Sequence, residues 1–167
     1  MREQIHPDPV VTFIVDRNIN YTNICTSECR FCAFYRKEGD PEGYTLSEEL
    51  IFKKLQETIA AGGTQVMLQG GLNPVLGLDY YSNLLKFIKK NFDIVIHSFS
   101  PAEIIHIAKL EGLSVVEVLS RLKDAGLDSL PGGGAEILVD AVRQRVSPKK
   151  ISADDWLSVM EAAHSIG

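Results

Sequence analysis

The alternation of short apolar runs with longer segments of helical periodicity limits most strongly what this chain can fold into. The apolar runs cover residues 10–15, 65–69, 94–99 and 127–130, and the first continues as an extended stretch over residues 18–22. Strand–helix units of about 30 residues imply right-handed crossover connections and a parallel sheet. The sequence therefore predicts an α/β fold with four βα units.

Capping residues set the predicted helix boundaries. Serine at an N-cap position satisfies free backbone N–H groups of the first helical turn, and glycine is favoured just after a helix ends. Ser114 and Glu117 match a capping box. The predicted helices run from Ser47 to Gly62, over residues 80–90, over 102–110 after the N-cap Ser100, from Ser114 to Ala125, over 135–145, and from Ser152 onward.

The length of the chain suggests part of a larger architecture. A closed barrel of eight βα units needs about 250 residues, whereas this chain has 167. We interpret residues 1–167 as the N-terminal part of a single barrel domain, a half-barrel fragment. Within it, residues 1–17 form an N-terminal extension and lead-in strand. A complete doubly wound domain of four or five strands is the alternative on length alone.

Charge and hydropathy disfavour two classes of partner. The chain has 17 Lys and Arg against 22 Asp and Glu, for a formal net charge of −5. It therefore lacks the basic stripe that a nucleic-acid-coating protein needs to neutralise phosphates. No apolar run approaches the length of about 18 residues typical of a membrane span. The first residues carry no apolar signal region, and we expect a cytoplasmic protein that binds neither nucleic acid nor membrane.

Every unusual segment follows a predicted strand. In parallel α/β folds, the loops after the carboxyl ends of the strands collect the chemistry. Here these loops are the cysteine loop, residues 69–71, residues 98–100 and residues 131–134. Glycine is common in any one such turn, but the convergence of four unusual loops on one mouth predicts a functional site.

The cysteines indicate a metal site. The chain has three, spaced Cys25-x3-Cys29-x2-Cys32, and an odd number on one short loop does not suit a disulfide framework. Thiolates are soft ligands that suit iron–sulfur clusters, zinc and cuprous ion. A structural zinc site takes four protein ligands, and no histidine lies at the short spacing of a zinc knuckle. A cubane held by three cysteines would keep one iron open, while a zinc module is the alternative.

With Phe31 directly before the third cysteine and aromatic residues within 33–35, this loop resembles the signature of the radical S-adenosylmethionine (SAM) superfamily. The resemblance implies a (β/α) TIM-type barrel of the radical SAM kind, here with about four βα units. It implies that Cys25, Cys29 and Cys32 hold a 4Fe-4S cluster whose free iron binds SAM. One electron from an external donor of the flavodoxin or ferredoxin type then yields a 5′-deoxyadenosyl radical.

The resemblance also implies site residues. Those expected to contact SAM are Phe31, Gln69, Gly70, Gly71 and Glu136. Those expected to contact a small, nucleoside-like substrate are Tyr35, His97, Ser98 and Ser100. Structural interpretations stand beside several of these: Phe31 as a packing aromatic, His97 as a core histidine, Ser100 as an N-cap and Glu136 as a helix-start carboxylate that favours the dipole.

Further segments resemble one subfamily, the dehypoxanthine futalosine cyclases of the futalosine route to menaquinone. The matching segments are residues 16–23, 68–71, 97–101 and 132–136. Related subfamilies are the aminofutalosine synthases and the hydroxyphenyl transferases of deazaflavin-cofactor synthesis. Residues 133–136 and 147–152 favour the cyclases, which implies a radical SAM cyclase. Another radical SAM enzyme, or a non-enzymatic iron–sulfur or zinc module, remains as an alternative.

Overall fold

The computed structural model describes residues 2–8 and 10–167. Met1 and Pro9, which belong to the predicted N-terminal extension, lie outside the described residues. The elements are α1 (Arg2–Ile5), β1 (Asp16–Ile19), α2 (Glu48–Ala60), β2 (Gln65–Leu68), α3 (Leu78–Asn91), β3 (Val95–Ile96), α4 (Pro101–Glu111), α5 (Val115–Asp124), α6 (Asp140–Val146) and α7 (Ala153–Ser165). None of these helices is long and apolar enough to cross a membrane.

The three strands form a parallel sheet in the order β1-β2-β3. Asp16 of β1 pairs with Gln65 of β2, which in turn pairs with Val95 of β3. Helices connect successive strands, as parallel pairing requires. The predicted parallel α/β architecture is therefore confirmed.

The first strand begins later than predicted. The prediction of a lead-in strand over residues 10–15 is wrong, because these residues are exposed and only Asp16–Ile19 forms a strand. The reason lies in the partner: β2 begins at Gln65, and the backbone N–H of Thr64 already bonds the carbonyl of Val15 at 3.2 Å. An apolar run without a partner strand has no ladder to join.

The third and fourth predicted strands are shorter than expected. β3 covers only Val95–Ile96 instead of residues 94–99, and the fourth strand is reduced to one parallel bridge between Ser129 and His97. Phe99 has a φ of 68°, in the left-handed region, and is fully buried. That conformation turns the chain out of the extended state directly before α4.

The predicted caps are confirmed at four helices. Ser47, Ser100, Ser114 and Ser152 each accept a hydrogen bond from the backbone of the first turn of α2, α4, α5 and α7, respectively. The predicted helix over residues 135–145 is wrong at its start, because α6 begins only at Asp140.

An aromatic cluster supports the loops at the carboxyl ends of the strands. Tyr21 follows β1, and its ring packs edge-on against Tyr81 of α3 and against Phe99, with centroid distances of 5.7 and 6.2 Å. All three side chains are fully buried. The loops after β1 and β3 therefore rest on one packed aromatic layer.

Candidate functional site

A cavity of about 250 Å³ opens at the carboxyl ends of the strands. Loops after β1 and β2, the start of α4 and the segment before α7 all contribute to its wall. The residues expected from sequence to form the site line it, except His97 and Ser98: Cys25, Cys29, Cys32, Phe31, Tyr35, Gln69, Gly70, Gly71, Ser100 and Glu136. The convergence of the loops on one mouth is thus seen in the structure.

The cysteine loop forms one wall of this cavity. Cys29 is buried, Cys25 and Cys32 are partly exposed, and all three line the cavity. Backbone bonds fix the loop: the Cys25 N–H donates to the Arg36 carbonyl at 2.9 Å, and the Cys32 N–H donates to the Cys29 carbonyl at 3.0 Å. Glu28 adopts a φ of 47°, which tightens the turn between the first two cysteines.

The residues present fit an iron–sulfur cluster. Within residues 2–8 and 10–167, no group of three or more His, Cys, Asp or Glu is arranged around a point suited to a single ion. A cubane makes no such demand, because each thiolate binds a different iron. Ser27, between two of the cysteines, lines the cavity, and its buried hydroxyl finds no partner among the described residues. Hydroxyl donors of this kind hydrogen-bond cluster sulfurs and tune them.

The glycine loop after β2 lies against the cysteine loop. A Cβ on Gly71 would stand 2.2 Å from the Ile24 carbonyl oxygen and 2.8 Å from Cys25 Cβ. A Cβ on Gly70 would stand 2.5 Å from the ring of Tyr21. Only glycine permits these close approaches, so the two loops can lie in contact because Gly70 and Gly71 have no side chain.

Hydrogen bonds occupy nearly every backbone group of residues 69–71. The Gln69 N–H donates to Ile19, and its carbonyl accepts from Asn20 Nδ2. The Gly71 N–H donates to the Thr22 carbonyl at 3.0 Å. The Gly70 N–H donates to a carboxylate, at 3.1 Å. Among the described residues, no group donates a hydrogen bond to the Gly70 carbonyl, and Gly70 lines the cavity.

That carboxylate belongs to Glu103, which the sequence analysis missed. Its side chain is 1% exposed in the first turn of α4. Burial raises the pKa of Glu103 to about 7, although hydrogen bonds from Ser100, Tyr21 and Gly70 act in the opposite direction. A signal was present in the sequence: the neighbours of this glutamate in α4 are almost all apolar, which marks a buried helix in which a carboxylate is unusual.

An ion pair between Lys150 and Glu136 forms another part of the cavity wall. Lys150 Nζ is 2.6 Å from Glu136 Oε1 and 5.9 Å from the centroid of the Phe31 ring. The Lys150 side chain is only 12% exposed, whereas Glu136 is 33% exposed. Glu136 was expected at a helix start, but it lies in a non-helical turn with a φ of 34°. Lys150 is not among the site residues predicted from the sequence.

Arg143 explains this turn. Its guanidinium is buried and donates to the carbonyls of Gly134, Ala135 and Ile137, at 2.7–3.2 Å, and also to Ile151. Carbonyls that point at a guanidinium cannot accept the bonds of an α-helix. The helix therefore begins after them, and the turn carries Glu136 to the cavity.

His97 and Ser98 do not line the cavity. The Ser98 hydroxyl is fully buried and accepts from the Leu68 N–H at 2.9 Å. His97 Nδ1 lies 2.6 Å from Ser129 Oγ, beside the short fourth strand. Both side chains bond within the sheet. Ser100 has two roles, because it caps α4 and also lines the cavity.

Several known proteins are similar to this chain in amino-acid sequence. The cyclic dehypoxanthine futalosine synthase of Halalkalibacterium halodurans is 55% identical over 97% of this chain, which covers 44% of that protein. The 5-amino-6-(D-ribitylamino)uracil–L-tyrosine 4-hydroxyphenyl transferase of Methanopyrus kandleri is 46% identical over 94% of this chain, which covers 43% of that protein. The chain therefore spans less than half the length of these relatives.

Two solved structures resemble this chain in fold. Methylornithine synthase PylB matches 92% of this chain with a TM-score of 0.68 at 16% identity, and the chain covers 42% of it. The hydrogenase maturase HydG of Carboxydothermus hydrogenoformans matches 92% with a TM-score of 0.67 at 21% identity, and the chain covers 34% of it. The prediction of a partial TIM-type barrel is confirmed. The family model of the radical SAM superfamily matches residues 19–167, including the whole cysteine loop, and the chain belongs to that superfamily.

Proposed function

We propose that residues 1–167 are the N-terminal part of one radical SAM barrel, with residues 1–17 as its extension, that cyclises dehypoxanthine futalosine in menaquinone biosynthesis. The observation that carries the proposal is the shared cavity, which is lined by three thiols, a glycine loop and a lysine whose side chain is 12% exposed. The cyclase is favoured among radical SAM reactions because a relative with that name is 55% identical, against 46% and 48% for two of the transferases.

The proposed cofactors are a 4Fe-4S cluster held by Cys25, Cys29 and Cys32, and SAM. When bound, they would supply radical chemistry able to abstract a hydrogen atom from the ribose of the substrate. An external one-electron donor of the flavodoxin or ferredoxin type provides the electron. The protein binds these groups, orients them and excludes water, while the hard chemistry belongs to the cofactors.

The remaining wall offers complementary groups for SAM. The Gly70 carbonyl, without a donor among the described residues, suits the ammonium group of the methionine moiety. Lys150 brings a cation for its carboxylate, with Glu136 holding the lysine in place at 2.6 Å. Phe31 and Tyr35 supply aromatic surface at the cavity, which suits an adenine ring and shields a radical from water.

Two anaerobic measurements test the proposal on the protein in the full length of its reading frame. After reconstitution with iron and sulfide, the electron paramagnetic resonance spectrum of the dithionite-reduced protein should change when SAM is added. Dehypoxanthine futalosine should then be converted to its cyclic product with release of 5′-deoxyadenosine. A variant with Cys25, Cys29 and Cys32 replaced by alanine should lose iron and product together. Zinc bound without any response to SAM would contradict the proposal.

A second candidate is the hydroxyphenyl transferase reaction. Several relatives with that name, including one of Synechocystis at 48% identity, align over 94% of this chain. The cluster and SAM sites would be the same, and only the substrate would differ. Incubation with tyrosine and 5-amino-6-(D-ribitylamino)uracil therefore separates the two, because each reaction consumes a different substrate.

A further inference from the structure

Three segments of the chain meet at the carboxylate of Glu103. Oε1 accepts from the Tyr21 hydroxyl at 2.5 Å and from the Gly70 N–H at 3.1 Å. Oε2 accepts from the Ser100 hydroxyl at 2.6 Å. The donors come from the loop after β1, the loop after β2 and the N-cap of α4. Glu103 is therefore the point at which helix α4 is tied to two of the loops of the cavity.

The glycine loop is held at Gly70 from two sides. The Tyr21 ring lies so close that a Cβ on Gly70 would stand 2.5 Å from it, and the carboxylate takes the Gly70 N–H. Fixing the Gly70 N–H also restricts the direction of the Gly70 carbonyl, because only the two soft dihedrals of this residue, φ and ψ, lie between the two groups. The position of the Gly70 carbonyl thus depends on the length of the side chain at position 103.

We propose that Glu103 is a positioning residue for SAM, which holds the Gly70 carbonyl where it accepts a hydrogen bond from the ammonium group of that ligand. This inference rests on the proposed function. Glu103 does not itself line the cavity and touches no ligand. It acts through Gly70, and through Ser100, which does line the cavity.

The chemistry of the three donors indicates which substitutions preserve this role. A glutamine keeps the reach of Glu103: its amide oxygen can accept from Tyr21 and Gly70, and its NH₂ group can donate to the Ser100 hydroxyl. An aspartate keeps the charge but withdraws the carboxylate by one methylene. If the length of the side chain at position 103 determines SAM affinity, E103Q should bind SAM like the wild type and E103D should bind it more weakly.

Equilibrium binding of SAM to the cluster-loaded, full-length protein provides the test. The readout is the change in the electron paramagnetic resonance spectrum of the reduced cluster, with iron per chain measured separately. E103Q should keep the wild-type Kd within about threefold, and E103D should raise it about tenfold, as the loss of one well-placed hydrogen bond implies. Iron per chain should be the same in all three proteins.

A matched control separates positioning from stability. Ile107 is fully buried one turn further along the same helix, and I107A creates a core cavity without removing a side-chain hydrogen bond to the glycine loop. It should lower the melting temperature while leaving the Kd for SAM unchanged.

Two results would overturn the inference: a wild-type Kd in E103D, or an equal loss of affinity in I107A. A wild-type protein that carries its cluster but binds no SAM would instead overturn the proposed function, and the inference with it.

Discussion

At the scale of single residues, Gly71 is where the glycine loop comes closest to the cysteine loop. Its α-hydrogen side faces the Ile24 carbonyl and Cys25 Cβ, and overpacking at such a contact costs typically 1–3 kcal/mol, so about 2 kcal/mol is expected here. We therefore expect G71A to lower the free energy of unfolding by that amount and to reduce the iron bound per chain, because the loop that carries Cys25 must move.

Gly132 is the matched control for this change. A Cβ there would meet only Trp156, at 3.4 Å, an ordinary contact. Anaerobic reconstitution followed by iron and sulfide analysis should give wild-type content for G132A. If G71A also bound iron at the wild-type level, the contact between the two loops would not matter for the cluster.

The buried carboxylate of Glu103 makes the stability depend on pH. Its pKa is about 7 in the folded protein, raised by burial from an ordinary value of 4.5. Between these values the folded state binds more protons than the unfolded state. The contribution of Glu103 to the free energy of unfolding should therefore fall as the pH rises through this window, by about 3 kcal/mol in total, and stay constant above and below it.

The E103Q variant isolates this titration from all others. Urea unfolding of the wild type and E103Q at several pH values gives the difference between their free energies of unfolding. That difference should shift in favour of E103Q between about pH 4.5 and about pH 7. A constant difference across this range would show that Glu103 does not titrate there.

The sequence was sufficient for residues whose role is local or carried by a motif, and insufficient for those whose role arises from folding. The three cysteines were predicted from their spacing and the glycines of residues 69–71 from the family resemblance, and the structure brings both segments to one cavity. Glu103 and Lys150 could not, because each enters the site through a partner distant in sequence: Gly70 for the first, Phe31 and the turn at Glu136 for the second.

At the scale of elements, helix starts were predictable where the cap is local. The capping box of α5 joins Ser114 and Glu117 within a single turn, and the predicted boundary holds. The start of α6 was not predictable, because it depends on the Arg143 guanidinium. This group donates hydrogen bonds to backbone carbonyls that precede and follow the helix in sequence. The prediction of a strand over residues 10–15 was wrong for a related reason, since a strand needs a partner and β2 begins too late to provide one.

Arg143 is accordingly expected to hold the turn that carries Glu136. In R143M the carbonyls of Gly134, Ala135 and Ile137 lose their buried donor, and bonds to a charged group are worth about 1.5–3 kcal/mol. We expect the free energy of unfolding to fall by about 3 kcal/mol and residues 134–139 to become sensitive to protease. Chemical unfolding and limited proteolysis measure the two effects.

Arg145 provides the comparison for this substitution. It lies on the same helix but is exposed, and surface substitutions usually change stability by no more than about 0.5 kcal/mol. R145M should therefore unfold like the wild type. Equal losses in R143M and R145M would mean that the charge of the helix, and not the carbonyl cluster, is responsible.

At the scale of the whole molecule, the residues that the structure describes add only a single bridge, at Ser129, to the sheet beyond β3. The bridge at Ser129 begins a further strand position, and beside it lies a largely apolar groove of about 350 Å³ between α5 and α7. Leu119, Leu127, Met160 and Ile166 line it. In a parallel α/β barrel such surfaces are covered by the next βα unit, and the relatives of this chain are more than twice its length.

We therefore expect residues 1–167, produced alone, to self-associate through this groove, because an open sheet edge beside apolar surface pairs readily with another copy. M160K places a charge in the groove and should shift the sedimentation distribution toward the monomer. L157K is the control, since Leu157 is on the same helix, half-exposed and outside the groove. A monomeric wild type at micromolar concentration, or equal effects of both lysines, would show that the open edge is protected in some other way.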